Sequence, residues 1–157
     1  MLLLRKLTSR PWSEQWTLLE AVCLVAVARL AVLLLPFRWI SRWVGPRCSE
    51  ADDITEEPAD EVLNRVSWAV KAVGRRVPWR SECFEQALTA CAMLRRRGGS
   101  GAVYFGVLKS GDGELAAHAW VKCGGRTVCG GRGHRAFTVV SAFAFGRQLS
   151  SSRKKSL

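Results

Sequence analysis

The sequence predicts an α+β protein in which a helical amino-terminal region precedes a helix packed on a small antiparallel sheet. Two observations lead to this prediction. Apolar residues recur at helical spacing as far as residue 97, and short strand-like segments joined by glycine-rich turns follow. At 157 residues the chain has room for one domain with a helical prefix, and its hydrophobic fraction of 48% is sufficient for a core.

The first element is expected to be one long helix over residues 16–35. Leucine and alanine favour helix, and Pro36 cannot continue it. The segment has the length of a membrane span, but Glu20 and Arg29 interrupt it, and an unpaired charge in a bilayer costs at least about 2–3 kcal/mol. We therefore predict a buried or interfacial helix. The basic, amphipathic segment FRWISRWV that follows leaves peripheral membrane contact open.

The remaining elements follow from composition and periodicity. Acidic residues and prolines concentrate in a segment interpreted as a linker, and two helices are predicted after it, the second capped by Ser81 and running from Glu82 to Arg97. The predicted regions are a helical region (residues 1–45), an acidic linker (46–60), the main domain (61–148) and a disordered basic tail (149–157). The first of the two helices is predicted over residues 58–75, and strands over residues 102–109, 115–122, 126–129 and 137–145.

The net charge of +11 favours an anionic partner such as a phosphate group, an anionic lipid or an acidic peptide, and charge alone does not distinguish among them. The basic residues are scattered and are not interleaved with aromatic residues, as a single-strand binder requires, so nucleic-acid binding is not expected. The first twenty residues lack the apolar stretch and cleavage site of a signal peptide. We therefore expect a cytoplasmic protein, peripheral to a membrane at most, with its cysteines as reduced thiols.

Six cysteines compete for the role of a nucleophile, and their positions separate them. Cys23 and Cys91 fall within apolar helical segments and are expected to pack in the core. Cys48 lies in the acidic segment, where neighbouring carboxylates disfavour a thiolate. Cys123 and Cys129 flank a predicted hairpin.

Cys83 differs from the other five because it falls in the first turn of a predicted helix. Unpaired backbone amides and the positive end of the helix dipole stabilise a thiolate there. The same amides are able to stabilise an oxyanion. Cys83 is therefore the candidate nucleophile.

A thiol nucleophile needs a base, and the chain has only two histidines. His118 lies in the middle of a predicted strand, whereas His134 lies in a loop between arginines that disfavour its protonated form. His118 is the better partner for the thiol. Cys123, Cys129 and His134 lack the paired close spacing typical of structural zinc sites, so we expect neither a metal nor a cofactor.

The segments VPWRSECFEQALTACAMLRRRGG, VYFGVLKSGDGELAAHAWVKCGG and FTVVSAF resemble the leader peptidase of lasso-peptide biosynthesis. The resemblance covers about Val77 to Phe145, and LLEAVCLVAVARLAVLLLPFRW is similar to the front part of that family. It implies a transglutaminase-like, papain-related fold. Cys83 would be the catalytic nucleophile and His118 the general base.

The resemblance further implies a cysteine protease that cleaves the leader peptide from a ribosomally made lasso-peptide precursor through an acyl-enzyme. The expected partners are the precursor peptide (leader plus core) and a separate leader-recognition protein, and the lasso cyclase is a further candidate. In that family's pathway the lasso cyclase is a separate ATP-dependent ligase, which closes the lasso ring after cleavage.

One departure from the family pattern favours an alternative. Members often carry an aspartate about a dozen residues after the histidine, and this chain has no acid beyond Glu114. The group that orients His118 is left open between a backbone carbonyl, an amide and an earlier acid, and catalysis without an orienting group is the remaining alternative. The main alternative is a non-catalytic transglutaminase-like module that binds leader peptide or partner proteins. A membrane-surface or nucleic-acid adaptor is the third hypothesis.

Overall fold

The structure is a computed structural model that describes residues 11–48, 58–78, 82–109 and 113–146. Within those ranges it contains four helices followed by a four-stranded antiparallel sheet, which is the predicted α+β architecture. The helices are α1 (Trp12–Leu34), α2 (Phe37–Val44), α3 (Asp60–Gly74) and α4 (Cys83–Arg96). The strands are β1 (Gly101–Lys109), β2 (Leu115–Cys123), β3 (Arg126–Cys129) and β4 (Thr138–Phe145).

The helix ends follow local chemistry and refine the predicted boundaries. Helix α1 begins four residues before the predicted start, directly after Pro11, a residue whose fixed φ suits a helix entry. It ends before Pro36, as expected. The predicted cap Ser81 lies outside the described residues; in the structure Glu82 is the cap of α4, and the Glu82 and Glu85 side chains form a capping box.

The strands lie in the order β3-β2-β1-β4, and every pairing is antiparallel. Gly106 of β1 lies opposite His118 of β2, and the register between β1 and β4 shifts at Gly106. The three residues after Gly45 extend this sheet, since the Cys48 amide donates to the carbonyl of Ala142. The start of the predicted linker therefore runs along β4. Residues 49–57 and the predicted tail lie outside the described residues.

The two faces of the sheet pack against different parts of the protein. Ala119 and Val121 of β2 belong to the main core, which also contains the buried sides of α1, α3 and α4. Trp120 points the other way, into a smaller cluster with Tyr104, and the two rings stack at 5.7 Å between centroids. Alternate residues of β2 therefore face either the helices or this second cluster.

Helix α1 packs against α3 and α4 through a narrow strip of small and branched residues. Ala21, Val25 and Ala28 are buried there. The two charges that interrupt the helix are paired with α4, Glu20 with Arg96 and Arg97, and Arg29 with Glu85. By length and composition α1 is also able to cross a membrane, and 28% of its most apolar window is buried in the protein.

Candidate active site

Cys83 is the first residue of α4, in agreement with the sequence prediction. Its side chain is half-buried and packs against the main core. The first turn of a helix leaves backbone amides without intrahelical partners, and such amides are able to hydrogen-bond an oxyanion at this point. The same turn contains the carboxylates of Glu82 and Glu85, which oppose this effect. Arg29 offsets one of them through its ion pair of 2.7 Å with Glu85.

His118 lies in β2 with its ring half-buried against two aromatic side chains. The ring centroid is 5.0 Å from that of Phe137 and 5.9 Å from that of Trp120. Its Nε2 atom lies 2.8 Å from the carbonyl oxygen of Gly130. A carbonyl oxygen only accepts hydrogen bonds, so Nε2 carries a proton, and in the neutral ring the lone pair is on Nδ1. The ring is thus held in the tautomer whose basic nitrogen is Nδ1.

Gly130 is the residue that sequence reasoning missed at this site. It lies twelve residues after His118, where members of the lasso family often carry an aspartate. Its φ is +71°, and a Cβ here would lie 2.8 Å from the Cβ of Trp120 and closer still to the carbonyl oxygen of Ala119. The position therefore requires glycine, and the Gly130 carbonyl oxygen is the hydrogen-bond partner of the His118 ring. The only sequence signal was the Gly130-Gly131 pair at the end of a strand.

None of the acids in the described part of the chain hydrogen-bonds to His118. Glu85, the buried acid of α4, accepts instead from Arg29 and from the Glu82 amide. Of the three orienting groups that the sequence left open, the structure shows a backbone carbonyl.

The end of β3 contacts both elements that carry the candidate residues, since β3 pairs with β2 and packs against α4. Burial raises the pKa of the Cys129 thiol to about 12; Lys71 opposes this rise, and Cys83 adds to it. Cys129 directly precedes Gly130. However, α4 packs on the Ala119 face of the sheet, whereas His118 shares the face of Trp120. In the described residues no hydrogen bond joins the Cys83 sulfur to the His118 ring.

The remaining cysteines occupy different environments. Cys91 is buried as expected, and burial raises its pKa to about 12, so this thiol stays protonated near neutral pH. The prediction for Cys23 is wrong, because its side chain is exposed on the outer side of α1. Helical periodicity does not distinguish the sides of a helix that is apolar all round, and only tertiary packing selects the buried one. All six cysteines are free thiols.

His134 is held in place rather than lying in an open loop. Its Nδ1 is 2.7 Å from the Gly131 carbonyl oxygen, and its ring packs 5.6 Å from Trp120. Cys123 and Cys129 lie in the main core on the other face of the sheet. Across the described residues, no group of three or more His, Cys, Asp or Glu side chains is arranged to hold a metal ion.

An aromatic cluster lies directly beside Cys83, and sequence reasoning did not identify it. Phe84, the next residue, packs at 5.3 Å from Phe105 of β1 and at 6.0 Å from Phe37 at the start of α2. Phe37 also contacts Phe143 of β4, and its ring is 48% exposed. An apolar surface therefore continues from the candidate nucleophile to the outside of the protein.

The described residues thus place a cysteine at the start of a helix that packs on an antiparallel sheet, and the sheet carries a histidine. The sequence model of the Transglutaminase-like superfamily matches residues 31–142, which is more than half of the chain. The protein belongs to the transglutaminase-like superfamily, a family that includes cysteine proteases. No curated protein and no solved structure gives a significant match to this chain.

Proposed function

We propose that this protein is the cysteine peptidase that removes the leader from a lasso-peptide precursor, with Cys83 as nucleophile and His118 as general base. The observation that supports it most is the pairing of two features within a transglutaminase-like domain. Cys83 starts the central helix, and the Gly130 carbonyl leaves Nδ1 of His118 free to accept a proton. The resemblance of Val77 to Phe145 to lasso leader peptidases supplies the substrate class.

The reaction uses this chain's own groups throughout. Nδ1 of His118 takes the thiol proton, and the Cys83 sulfur attacks the scissile carbonyl. When the C–N bond breaks, the protonated imidazole gives its proton to the amino group of the departing core peptide. Water then hydrolyses the thioester and releases the leader with a free carboxylate. Backbone amides of the first turn of α4 would hold the oxyanion in both steps.

The proposal requires the thiol and the ring to approach one another when substrate binds. The end of β3 is where we expect this approach, because Gly130, the residue after β3, holds His118, and β3 packs against α4. The apolar surface of Phe37 and Phe84 is then available to a side chain of the precursor close to the scissile bond.

The proposed partners follow from the same function. They are the precursor peptide and a separate leader-recognition protein in the cytoplasm, with the lasso cyclase as the enzyme that uses the freed amino terminus. No cofactor is part of the mechanism.

The test is a cleavage assay with the purified chain, a candidate precursor and its recognition protein, with the products weighed by mass spectrometry. Wild type should yield separate leader and core, and Cys83→Ala should yield intact precursor that still binds. Cys23→Ala is the matched control, since it removes an exposed cysteine that has no part in the proposed mechanism. Cleavage by Cys83→Ala would contradict the assignment.

Two observations favour a second candidate, a non-catalytic module that presents the leader to partner enzymes. Glycine stands where the family's aspartate is often found, and no hydrogen bond joins Cys83 to His118 in the described residues. Such a module would bind precursor without cutting it. Alkylation with iodoacetamide near neutral pH separates the two functions: a peptidase should show Cys83 reacting faster than the exposed Cys23, and a binding module should not.

A further inference from the structure

Exposed apolar side chains are concentrated at one end of the chain. Fourteen large hydrophobic residues are exposed among those that the structure describes, and only Leu115 and Val140 lie outside the stretch from Trp12 to Trp43. Single exposed hydrophobics scattered over a surface need no explanation, but a contiguous group of this size marks a binding surface.

Six members of this group form a stripe along the outer side of α1. Successive members are three, four or eight residues apart, which is close to one or two helical turns, so they lie on one side of a helix about 34 Å long. They begin with Trp12 and Trp16 and continue with Leu19, Val27, Leu30 and Leu34, all more than half exposed. We call these six residues the α1 stripe.

The α1 stripe carries no charge, because the two charged residues between Trp16 and Leu34 are turned inward. Glu20 is paired with Arg97 at 2.6 Å, and Arg29 with Glu85 at 2.7 Å. Glu85 belongs to α4 and Arg97 caps its end, and α4 packs on the opposite side of α1 from the stripe.

Helix α2 supplies basic and aromatic side chains at the end of the stripe. Trp39 and Trp43 are about half exposed, and Arg38 and Arg42 lie at the surface beside them. From residue 21 to residue 48 the sequence contains four arginines and no acid. An apolar stripe with tryptophans at both ends and arginines at one of them matches an anionic lipid surface, since tryptophan prefers the interface and arginine pairs with lipid phosphate.

We propose that the α1 stripe and α2 dock this protein onto the surface of a bilayer that contains anionic phospholipid. The helix would lie in the plane of the interface with its inner side still packed on α3 and α4. A transmembrane orientation would require α1 to leave the domain. It would also separate Arg29 from Glu85, a carboxylate that is only 2% exposed. An acidic protein partner would fit this surface less well. Its charge would complement only the arginines of α2, because the α1 stripe carries no charge.

Docking in this way would bring the candidate site close to the bilayer. Phe37, the first residue of α2, packs against Phe84, which follows Cys83. The surface is nevertheless separate from the proposed chemistry, so a catalytically inactive protein should still dock.

The experiment is flotation of the full chain with vesicles of equal parts phosphatidylcholine and phosphatidylglycerol, compared with phosphatidylcholine alone. Wild type should bind the anionic vesicles, and this binding should weaken as the salt concentration rises. Val27→Asp should bind about tenfold more weakly, since it places a charge at a site that would be buried in lipid. Val140→Asp is the matched control, because the two valines are 60% and 58% exposed and the substitution is identical.

A second pair of variants ensures that the conclusion does not rest on a single position. Leu34→Asp should lose binding while Leu115→Asp retains it, the leucines being 75% and 73% exposed. Arg38→Gln combined with Arg42→Gln should weaken binding to anionic vesicles about tenfold, and Arg75→Gln should not. Each variant is first checked for a native circular dichroism spectrum.

Three results would overturn the proposal. They are equal vesicle binding by Val27→Asp and Val140→Asp, failure of folded wild type to float with anionic vesicles, and self-association of wild type that Val27→Asp abolishes. The last would identify a second copy of the chain as the occupant. Cys83→Ala should float like wild type, so the outcome does not depend on whether the protein is a peptidase.

Discussion

Arg29 of α1 forms an ion pair of 2.7 Å with Glu85, two residues after the candidate nucleophile Cys83. Glu85 is 2% exposed, and its second oxygen accepts from the backbone amide of Glu82 at the start of α4. The amino-terminal helix therefore neutralises a buried carboxylate in the turn that begins with Cys83. The charge balance around Cys83 therefore depends on a residue of the amino-terminal helix.

Loss of this pair should destabilise the protein strongly. Arg29→Met removes the cation and leaves a buried carboxylate uncompensated, which typically costs about 3–5 kcal/mol, reduced here toward the lower figure because Arg29 is 32% exposed. Chemical denaturation followed by circular dichroism measures the free energy of unfolding.

Arg65→Met is the control for the Arg29 experiment. Arg65 pairs with Glu61 at the same distance of 2.7 Å but on the surface, where such pairs contribute about 0.3–0.5 kcal/mol. Similar losses for the two variants would show that burial of Glu85 does not determine the effect.

The two histidines should differ in their effect on peptidase activity. His118→Ala removes the ring whose Nδ1 is free, and general-base losses of this kind are about 100-fold or more in kcat. His134→Ala removes a ring whose Nδ1 already contacts the Gly131 carbonyl, and its effect should be much smaller. Rates of precursor cleavage measure both. Equal losses would remove His118 from the mechanism.

Gly130 should be required as a positioning residue. Gly130→Ala forces a Cβ against the backbone of β2, so the carbonyl that holds His118 must move. We expect kcat to fall about tenfold or more with little change in KM, because the substituted residue touches His118 rather than substrate. The pH profile of cleavage should also change, since the orientation of the general base is altered.

Gly133→Ala separates this crowding from backbone strain. Gly133 has φ +73°, nearly the same as the +71° of Gly130, but a Cβ added there meets no atom within 4 Å. Both variants carry the strain of a left-handed alanine, and only Gly130→Ala crowds β2. Matching kinetics in the two variants would argue against a role for the Gly130 carbonyl.

Stability should fall in alkaline solution because of two buried thiols. Burial raises the pKa of Cys91 and of Cys129 from 9.0 to about 12. Between these values the unfolded chain has released protons that the folded protein still holds, so the free energy of unfolding decreases as pH rises from about 9. At pH 10 each thiol should lower it by about 1 kcal/mol relative to pH 7.

Denaturation curves of wild type and Cys91→Ala at several pH values between 7 and 10 test this dependence. The variant loses packing at every pH, but its decline above pH 9 should be shallower than that of wild type, because one titrating thiol is gone. Parallel declines in the two proteins would show that Cys91 ionises in the folded state as easily as in the unfolded one.

Local sequence patterns determined the elements of this fold and the position of one site residue. Helix α4 could be predicted from the spacing of its apolar residues and from the arginines and glycine at its end, and these placed Cys83 in a first turn. The strand that carries His118 followed from short apolar segments and the Gly124-Gly125 turn. These features depend on neighbours within a few residues, so the chain sequence contains all the information that they need.

Tertiary structure decided the features that join distant parts of the chain. The pairing of Arg29 with Glu85 and the hydrogen bond from His118 to the Gly130 carbonyl connect residues 56 and 12 positions apart. The exposure of Cys23 likewise depends on which side of α1 meets α3 and α4. No local pattern encodes these contacts, because an apolar helix offers several equivalent sides and a backbone carbonyl has no sequence signature. Packing of the complete chain selects among them.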